Sequence, residues 1–116
     1  MQSTNTLPLL DQVACCAPVT QGVLSVEDAE RLARSFKALS DPSRVRLLSL
    51  IAAQSGGEAC VCDLTEFVGL SQPTVSHHMK QLVEAGLVIR EQRGKWAYYK
   101  VDDQMLRALA EALRTG

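Results

Sequence analysis

The chain has 116 residues, of which 47% are hydrophobic and 22% are charged, and its formal net charge is -1. This length suits one domain of about 100 to 150 residues and is too short for two independent cores. No apolar run approaches the roughly 20 residues that cross a bilayer, and Pro8 interrupts the leucines near the N-terminus. We therefore expect a cytoplasmic protein with no membrane segment and no signal peptide.

The charges are distributed unevenly along the chain. Residues 1–30 contain four acidic side chains and no lysine or arginine, whereas residues 71–100 contain five basic and two acidic side chains. A chain of nearly zero net charge can therefore carry a basic face, which is the electrostatic requirement for binding DNA.

The N-terminal 24 residues show no sustained hydrophobic period. We interpret 1–24 as a flexible or loosely docked arm that carries Cys15 and Cys16, and 25–116 as the folded domain. The four cysteines of a cytoplasmic chain are expected to be thiols, because the cytosol keeps disulfides reduced. Metal binding, redox chemistry or simple core packing are therefore their candidate roles.

Two helices are predicted at the start of the domain. Ser25 is a candidate N-cap, and apolar residues follow it at helical spacing as far as Leu39. Asp41 and Pro42 start a second helix, because aspartate caps helices well and proline is favoured at the first helical position. Gly56-Gly57 is expected to end this second helix.

A third and a fourth helix follow in close succession. The third is predicted over about 62–68, and the fourth runs from the N-cap Ser71 to Ala85, with Gly69 between them. A link of this length is typical of a helix-turn-helix, in which the second helix enters the major groove of DNA.

The hydrophobic pattern changes from helical to strand-like after Gly86. The runs 87–89 and 96–99 are rich in β-forming residues, and Arg93-Gly94 between them has turn chemistry, so a β-hairpin with a charged tip is predicted. A last helix over about 104–114 completes the order. The predicted fold is mainly α with a small β-hairpin, arranged as a winged helix-turn-helix.

The fourth helix and the hairpin carry the candidate DNA contacts. The N-terminal end of a reading helix reaches base edges, and hairpin cations reach phosphates or an adjacent minor groove. A polar cluster is often only a helix cap, and a charged hairpin tip is often only solvated, so each signal gains weight from the other. His78 faces the apolar side and is interpreted as structural. The candidates are Ser71, Gln72, Thr74, Ser76, His77 and Lys80 on the helix and Arg90, Arg93 and Lys95 on the hairpin.

Cys60 and Cys62 flank the predicted start of the third helix. Residues two apart in a regular helix diverge by about 200°, so both sulfurs bind one ion only if Cys60 lies in a non-helical turn or the turn is distorted. A helix N-terminus also lowers the pKa of a thiol. A lone Cys-x-Cys is most often an inert buried pair, but Cys15 and Cys16 add a second pair. Such a set suits Cd²⁺, Pb²⁺ or Zn²⁺ with four sulfurs, or trivalent arsenic with three.

Four runs of this sequence together resemble the ArsR/SmtB family of bacterial metal-sensing repressors. They are 36–44 (FKALSDPSR), 60–64 (CVCDL), 70–78 (LSQPTVSHH) and 94–99 (GKWAYY), and they occur in the order of the family. The resemblance implies a homodimer formed through the first and last helices. It also implies that this dimer binds a palindromic operator in double-stranded DNA and is released when a metal or metalloid binds.

The CVCDL run resembles that of arsenic- and antimony-responsive members and of cadmium- and lead-responsive ones. For the arsenic type, the resemblance implies that cysteine thiolates bind trivalent arsenic or antimony. Cys60 and Cys62 would then be joined by one or both of Cys15 and Cys16, from the same or the partner subunit. Thr65 stands where one type of arsenic sensor has a third cysteine. Residues 102–116 contain no histidine, which argues against a zinc sensor of the SmtB type.

Three alternatives to an arsenic-responsive repressor stay open. A cadmium- or lead-responsive repressor of the same family would use four thiolates per site, and a redox or persulfide switch would form a disulfide instead. An enzyme, such as a small thiol oxidoreductase or an arsenate reductase, is the third. No Cys-x-x-Cys follows a βα unit and no catalytic triad is indicated, so we predict that the protein is not an enzyme. A DNA-binding protein with inert cysteines is the simplest related interpretation.

Overall fold

The computed structural model of the protein describes residues 16–115. This part of the chain forms five α-helices and a three-stranded antiparallel sheet. In chain order the elements are α1 (Val26–Ala38), α2 (Pro42–Ala53), β1 (Glu58–Cys60), α3 (Val61–Val68), α4 (Gln72–Glu84), β2 (Val88–Arg93), β3 (Trp96–Val101) and α5 (Asp103–Ala112). The predicted fold class, a helix-turn-helix followed by a β-hairpin, is confirmed. Among the described helices, none has the length and apolar character needed to cross a membrane.

The chain divides into two units. One unit contains residues 36–102, and the other contains most of α1 together with α5. In the second unit the backbone N–H of Val19 donates to the Ala112 carbonyl at 2.9 Å, and the Thr20 hydroxyl donates to the Arg114 carbonyl at 2.9 Å. The segment before α1 is therefore hydrogen-bonded to the C-terminal end of α5, where carbonyl groups lack partners within the helix.

The core of the 36–102 unit lies beneath the helix-turn-helix. Apolar side chains at helical spacing on α2, α3 and α4 become fully buried, and each contributes about 1.5 to 3 kcal/mol relative to an exposed side chain. The buried set comprises Leu47, Ile51, Leu64, Val75, Met79 and Leu82 on these helices and Leu87 just after α4.

The predicted starts of the first two helices are confirmed by side-chain caps. Ser25 Oγ accepts a hydrogen bond from the Asp28 N–H at 3.1 Å. Asp41 Oδ1 accepts one from the Ser43 N–H at 2.8 Å, and this bond holds the pKa of the Asp41 carboxyl below its usual value. The end of α2 differs from the prediction, because the helix stops at Ala53 and Gly56 lies in a separate 3-10 turn with φ of 76°.

The sheet contains a strand that the sequence did not predict. β3 lies in the centre, with β1 and β2 antiparallel on its two sides. β1 has three residues, which is too short for an alternating pattern to be recognised. The hairpin was predicted as two short runs, and both strands are longer, with Arg93 paired to Trp96 at the tip.

Candidate nucleic-acid interface and thiol site

The turn between α3 and α4 sets the angle of the reading helix. Gly69 ends α3 in the left-handed region, with φ of 70° and ψ of 20°, and its N–H donates to the Thr65 carbonyl at 3.1 Å. A Cβ atom added at Gly69 would meet nothing within 4 Å. The positive φ, which other residues adopt only at a conformational cost, is therefore the reason for glycine here.

The N-terminus of α4 is capped by the Ser71 hydroxyl group. Ser71 Oγ accepts a hydrogen bond from the Thr74 N–H at 3.4 Å and lies 2.8 Å from Thr74 Oγ1. Both residues are exposed. One predicted DNA-contacting side chain, Ser71, thus caps the helix that would enter the groove, and a second, Thr74, hydrogen-bonds to that cap.

A groove of about 540 Å³ separates α4 from the hairpin. One side is formed by a stripe of α4 at helical spacing, and the other by the strands and turn of the hairpin. Three cations face one carboxylate, that of Glu84, so the groove is basic. The lining residues are Val61, Gln72, Ser76, Lys80, Val83, Glu84, Arg90, Gln92, Lys95, Trp96, Ala97 and Tyr99.

The structure brings five of the nine predicted DNA-contacting residues together in this groove. They are Gln72, Ser76, Lys80, Arg90 and Lys95. All nine are exposed. Ser71, Thr74 and His77 do not line the groove, and Arg93 is engaged in an ion pair with Glu58.

Gln92 and Trp96 also line the groove and were not among the predicted DNA-contacting residues. Gln92 Oε1 accepts a hydrogen bond from Arg90 Nη2 at 2.7 Å, and Gln92 Nε2 donates to the Gly94 carbonyl at 2.9 Å. Trp96 is 50% exposed although it is large and apolar. The period of two in a strand was the available signal for Gln92, because it places Arg90 and Gln92 on the same face.

His78 has the structural position that its helical angle predicted. The guanidinium of Arg44 can only donate, so Arg44 Nη1, at 3.2 Å, donates to His78 Nδ1. Arg44 Nε also donates to the Ala38 carbonyl at 2.6 Å. One arginine therefore connects α4 with the end of α1, and the interpretation of His78 as structural is confirmed.

Cys60 occupies the non-helical position that a two-sulfur site requires. It ends β1 and is the N-cap of α3, with extended backbone angles of φ -77° and ψ 147°. Its sulfur accepts a hydrogen bond from the Cys62 N–H at 3.4 Å. Cys60 is buried, Cys62 is exposed, and both are free thiols.

The two thiols interact directly. A side-chain hydrogen bond with Cys60, followed by desolvation, raises the pKa of the Cys62 thiol. The expectation that the helix N-terminus would lower the thiol pKa is therefore wrong for Cys62.

The arm cysteines are only partly within the described residues. Cys15 lies outside them. Cys16 is 4% exposed and disulfide-bonded, so the expectation of four thiols is wrong at this position. Within residues 16–115, no three His, Cys, Asp or Glu side chains lie close enough together to hold a metal ion.

The fold and the basic groove define a winged helix-turn-helix DNA-binding domain. A model of the bacterial regulatory proteins of the arsR family matches residues 41–90. The chain is 42% identical over 84 residues to the arsenic resistance transcriptional regulator ArsR1 of Pseudomonas putida, covering 66% of this chain and 64% of that relative. It is 37% identical over 76 residues to the arsenical resistance operon repressor of Bacillus subtilis, covering 66% and 70%.

A solved structure extends the similarity over almost the whole chain. It is the homodimeric winged helix-turn-helix DNA-binding domain of a possible ArsR-family transcriptional regulator from Mycobacterium bovis. That structure has a TM-score of 0.59 and 27% identity, covering 95% of this chain and 82% of that one. The protein belongs to the ArsR family of bacterial regulatory proteins.

Proposed function

We propose that the protein is a repressor of arsenical resistance that binds operator DNA as a homodimer and is released when trivalent arsenic or antimony binds its cysteines. One observation carries this proposal. Two free thiols lie side by side at the start of α3, and Val61 between them lines the groove between α4 and the hairpin. The candidate effector site and the candidate DNA surface therefore share a single turn of backbone.

The groove supplies the chemistry for DNA binding. Gln72 and Ser76 offer hydrogen-bonding groups to base edges, and Lys80, Arg90 and Lys95 offer cations to phosphates. A palindromic operator follows from a twofold dimer, because each subunit presents the same reading helix to one half-site.

Exposed apolar residues support a dimer formed through α1 and α5. Val26 is 70% exposed at the start of α1, and Leu113 is 54% exposed just after α5. Val23, before α1, is fully exposed. A second copy of the chain that packs on α1 and α5 would remove these exposed apolar side chains from water.

Cys60 and Cys62 provide two of the sulfur ligands. Trivalent arsenic, when bound, is held by up to three sulfurs, and each As–S bond replaces an As–OH bond with release of one water. We assign the third sulfur to Cys15 or Cys16, from the same or the partner subunit. The disulfide at Cys16 must be reduced before that sulfur can serve.

The release step follows from the double role of Cys60. Its sulfur caps α3 and its backbone ends β1, so turning this sulfur towards a site shared with Cys62 displaces the turn at Val61. Val61 is 5% exposed and packed, so its displacement moves the neighbouring groove residues. A coupling of about 1 to 3 kcal/mol, or 5- to 150-fold in operator affinity, is sufficient for derepression.

The test is a titration of duplex DNA, selected by the protein from a random pool, with and without arsenite under reducing conditions. We expect arsenite to weaken binding by the wild type and to leave a Cys60→Ser/Cys62→Ser variant unaffected. A Cys15→Ser/Cys16→Ser variant should respond only at higher arsenite concentration, because two sulfurs remain. If saturating arsenite and antimonite leave the wild-type affinity unchanged, the proposed release is wrong.

The DNA surface is tested separately by the dependence of affinity on salt. Each phosphate contact contributes about 0.9 to the slope of log K against log salt, so Lys80→Gln and Lys95→Gln should each reduce the slope by about that amount per subunit. Lys37→Gln is the control, since this exposed lysine lies on α1 outside the groove. An equal slope in all four proteins would contradict the assignment of the groove.

A thiol redox switch is the second candidate, and the disulfide at Cys16 is the observation that favours it. In that case an oxidant, rather than arsenite, would change operator affinity, and thiol titration would show the matching loss of free sulfhydryls. Cadmium or lead sensing would instead appear as a response to Cd²⁺ or Pb²⁺ with four thiolates per site. The names of the relatives favour arsenic.

A further inference from the structure

Arg93 connects all three strands of the sheet. Its Nη1 and Nη2 donate to Glu58 Oε1 and Oε2 at 2.7 and 2.8 Å, so the guanidinium and the carboxylate form two parallel hydrogen bonds. The Arg93 Cζ atom lies 4.5 Å from the centre of the Tyr98 ring. Because Glu58 is on β1, Tyr98 on β3 and Arg93 on β2, this arrangement ties the two edge strands together across the central one. We refer to these three residues as the wing bridge.

The wing bridge fixes the relative orientation of the Arg93 and Glu58 side chains more than it stabilises the fold. The Arg93 and Glu58 side chains are 41% and 29% exposed, and ion pairs at such exposure stabilise a fold only slightly. A paired guanidinium and carboxylate nevertheless fix each other's orientation. The hydrogen bond from Arg93 lowers the pKa of the Glu58 carboxyl, so the pair is ionised at neutral pH.

One residue of the wing bridge, Glu58, lies on β1, the strand that ends at Cys60. Cys60 pairs with Tyr98 in the sheet register, and Glu58 pairs with Lys100. Side chains two apart on a strand point to the same face, so Glu58 and Cys60 share one side of β1. β1 has only three residues, so Glu58 and Cys60 are its two ends.

The two arginines of β2 have separate positions. Arg90 and Arg93 are three residues apart, so they point to opposite faces of the strand. Arg90 lines the groove beside α4, whereas Arg93 is held by Glu58 and by Glu91 Oε1, which accepts a hydrogen bond from Arg93 Nη2 at 2.8 Å. Arg93 is thus placed to hold the hairpin rather than to line the groove.

We propose that Glu58 is a positioning residue that transmits the state of the Cys60–Cys62 turn to the hairpin through Arg93. This inference rests on the proposed function and adds a second route to the one through Val61. When the two sulfurs are drawn to a common site, β1 moves and carries the Glu58 carboxylate with it. Arg93 follows because of its paired hydrogen bonds, and β2 changes its position relative to α4.

The test compares the arsenite response of Glu58→Gln with that of Glu91→Gln. The response is the ratio of operator Kd with and without arsenite, and arsenite binding is measured separately by loss of free thiols. Variants along a coupling route change such a ratio by about 2- to 30-fold, and we expect a reduction of this size in Glu58→Gln. Glu91→Gln is the matched control, because it removes an Arg93 partner that lies on β2 itself. Its ratio should equal that of the wild type.

Arg93→Lys provides a second variant, since it keeps the charge and loses the paired geometry. Its ratio should fall as in Glu58→Gln. Wild-type ratios in both variants would overturn the proposal, as would an equal reduction in Glu91→Gln.

Trp96 allows a measurement that does not involve DNA. It is the single tryptophan of the chain and pairs with Arg93 at the tip of the hairpin. Arsenite should change its fluorescence in the wild type and in Glu91→Gln, and by less than half as much in Glu58→Gln. A fluorescence change without any change in operator affinity would contradict the proposed function and leave the bridge standing. If arsenite does not change the Trp96 fluorescence of the wild type, the proposal that the wing bridge transmits the state of the Cys60–Cys62 turn is wrong.

Discussion

The two helices of the helix-turn-helix begin at different kinds of cap. α3 begins at the sulfur of Cys60, which accepts one N–H at 3.4 Å, whereas α4 begins at the Ser71 hydroxyl, which also bonds Thr74 Oγ1 at 2.8 Å. Sulfur is a weak acceptor, and serine is among the preferred N-cap residues. The supporting helix therefore loses little when its cap is taken by another ligand, whereas the reading helix keeps its own cap.

The largest effect is expected from Cys60→Ser. This variant keeps a side-chain atom that can cap α3 and removes one sulfur ligand of arsenic. The change in operator affinity caused by arsenite, about 5- to 150-fold in the wild type, should therefore be lost. Its free energy of unfolding should change by less than about 1 kcal/mol, because serine caps at least as well as cysteine. Operator titration and urea unfolding measure the two quantities. A retained response would mean that the cap of α3 is not the switch.

A smaller effect is expected from Ser71→Ala. The loss of the hydroxyl cap should lower the free energy of unfolding by about 1 kcal/mol, within a range of about 0.5 to 2 kcal/mol. Ser49→Ala is the control, because Ser49 is an exposed residue inside α2 and caps nothing. Urea unfolding of the two variants checks the difference. Equal stabilities of the two variants would show that the Ser71 hydroxyl does not stabilise α4 as a cap.

The smallest effect concerns the reactivity of Cys62. Since the hydrogen bond with Cys60 raises its pKa in the folded protein, alkylation by iodoacetamide should accelerate only at a higher pH than in the unfolded chain. The raised folded pKa favours the fold below the unfolded pKa, and this contribution is lost as the pH rises through the folded pKa. Cys60→Ala should move the alkylation profile to lower pH, as followed by mass spectrometry. An unmoved profile would contradict the thiol pair.

The helix starts and the helix-turn-helix were predictable, because each is encoded within a few consecutive residues. Asp41 before Pro42 and Ser71 before Pro73 are local cap signals, and the structure confirms both. The end of α2 was predicted less well, since Gln54 turns to an extended conformation before the glycines are reached. β1 was missed because its pairing partner lies about 40 residues later, in β3.

The candidate site was predictable in its residue types and less so in its arrangement. The nine DNA-binding candidates were predicted from charge and position; all are exposed, and their contact with DNA stays a prediction. The sequence did not predict that Arg90 lines the groove whereas Arg93 belongs to the wing bridge, because the two residues have the same chemistry and lie on the same predicted hairpin. Glu58 carried no signal of its own as an isolated acidic residue next to two glycines.

The amino-acid sequence by itself determined where the helices begin, that a reading helix precedes a basic hairpin, and that two cysteines flank the start of α3. These features depend on neighbours within one or two turns of chain. Only the tertiary structure decided that Cys60 caps α3 from the end of a strand and that Glu58 meets Arg93 35 residues away. Strand register depends on the packing of the whole sheet, and no local period encodes which distant side chain will lie opposite.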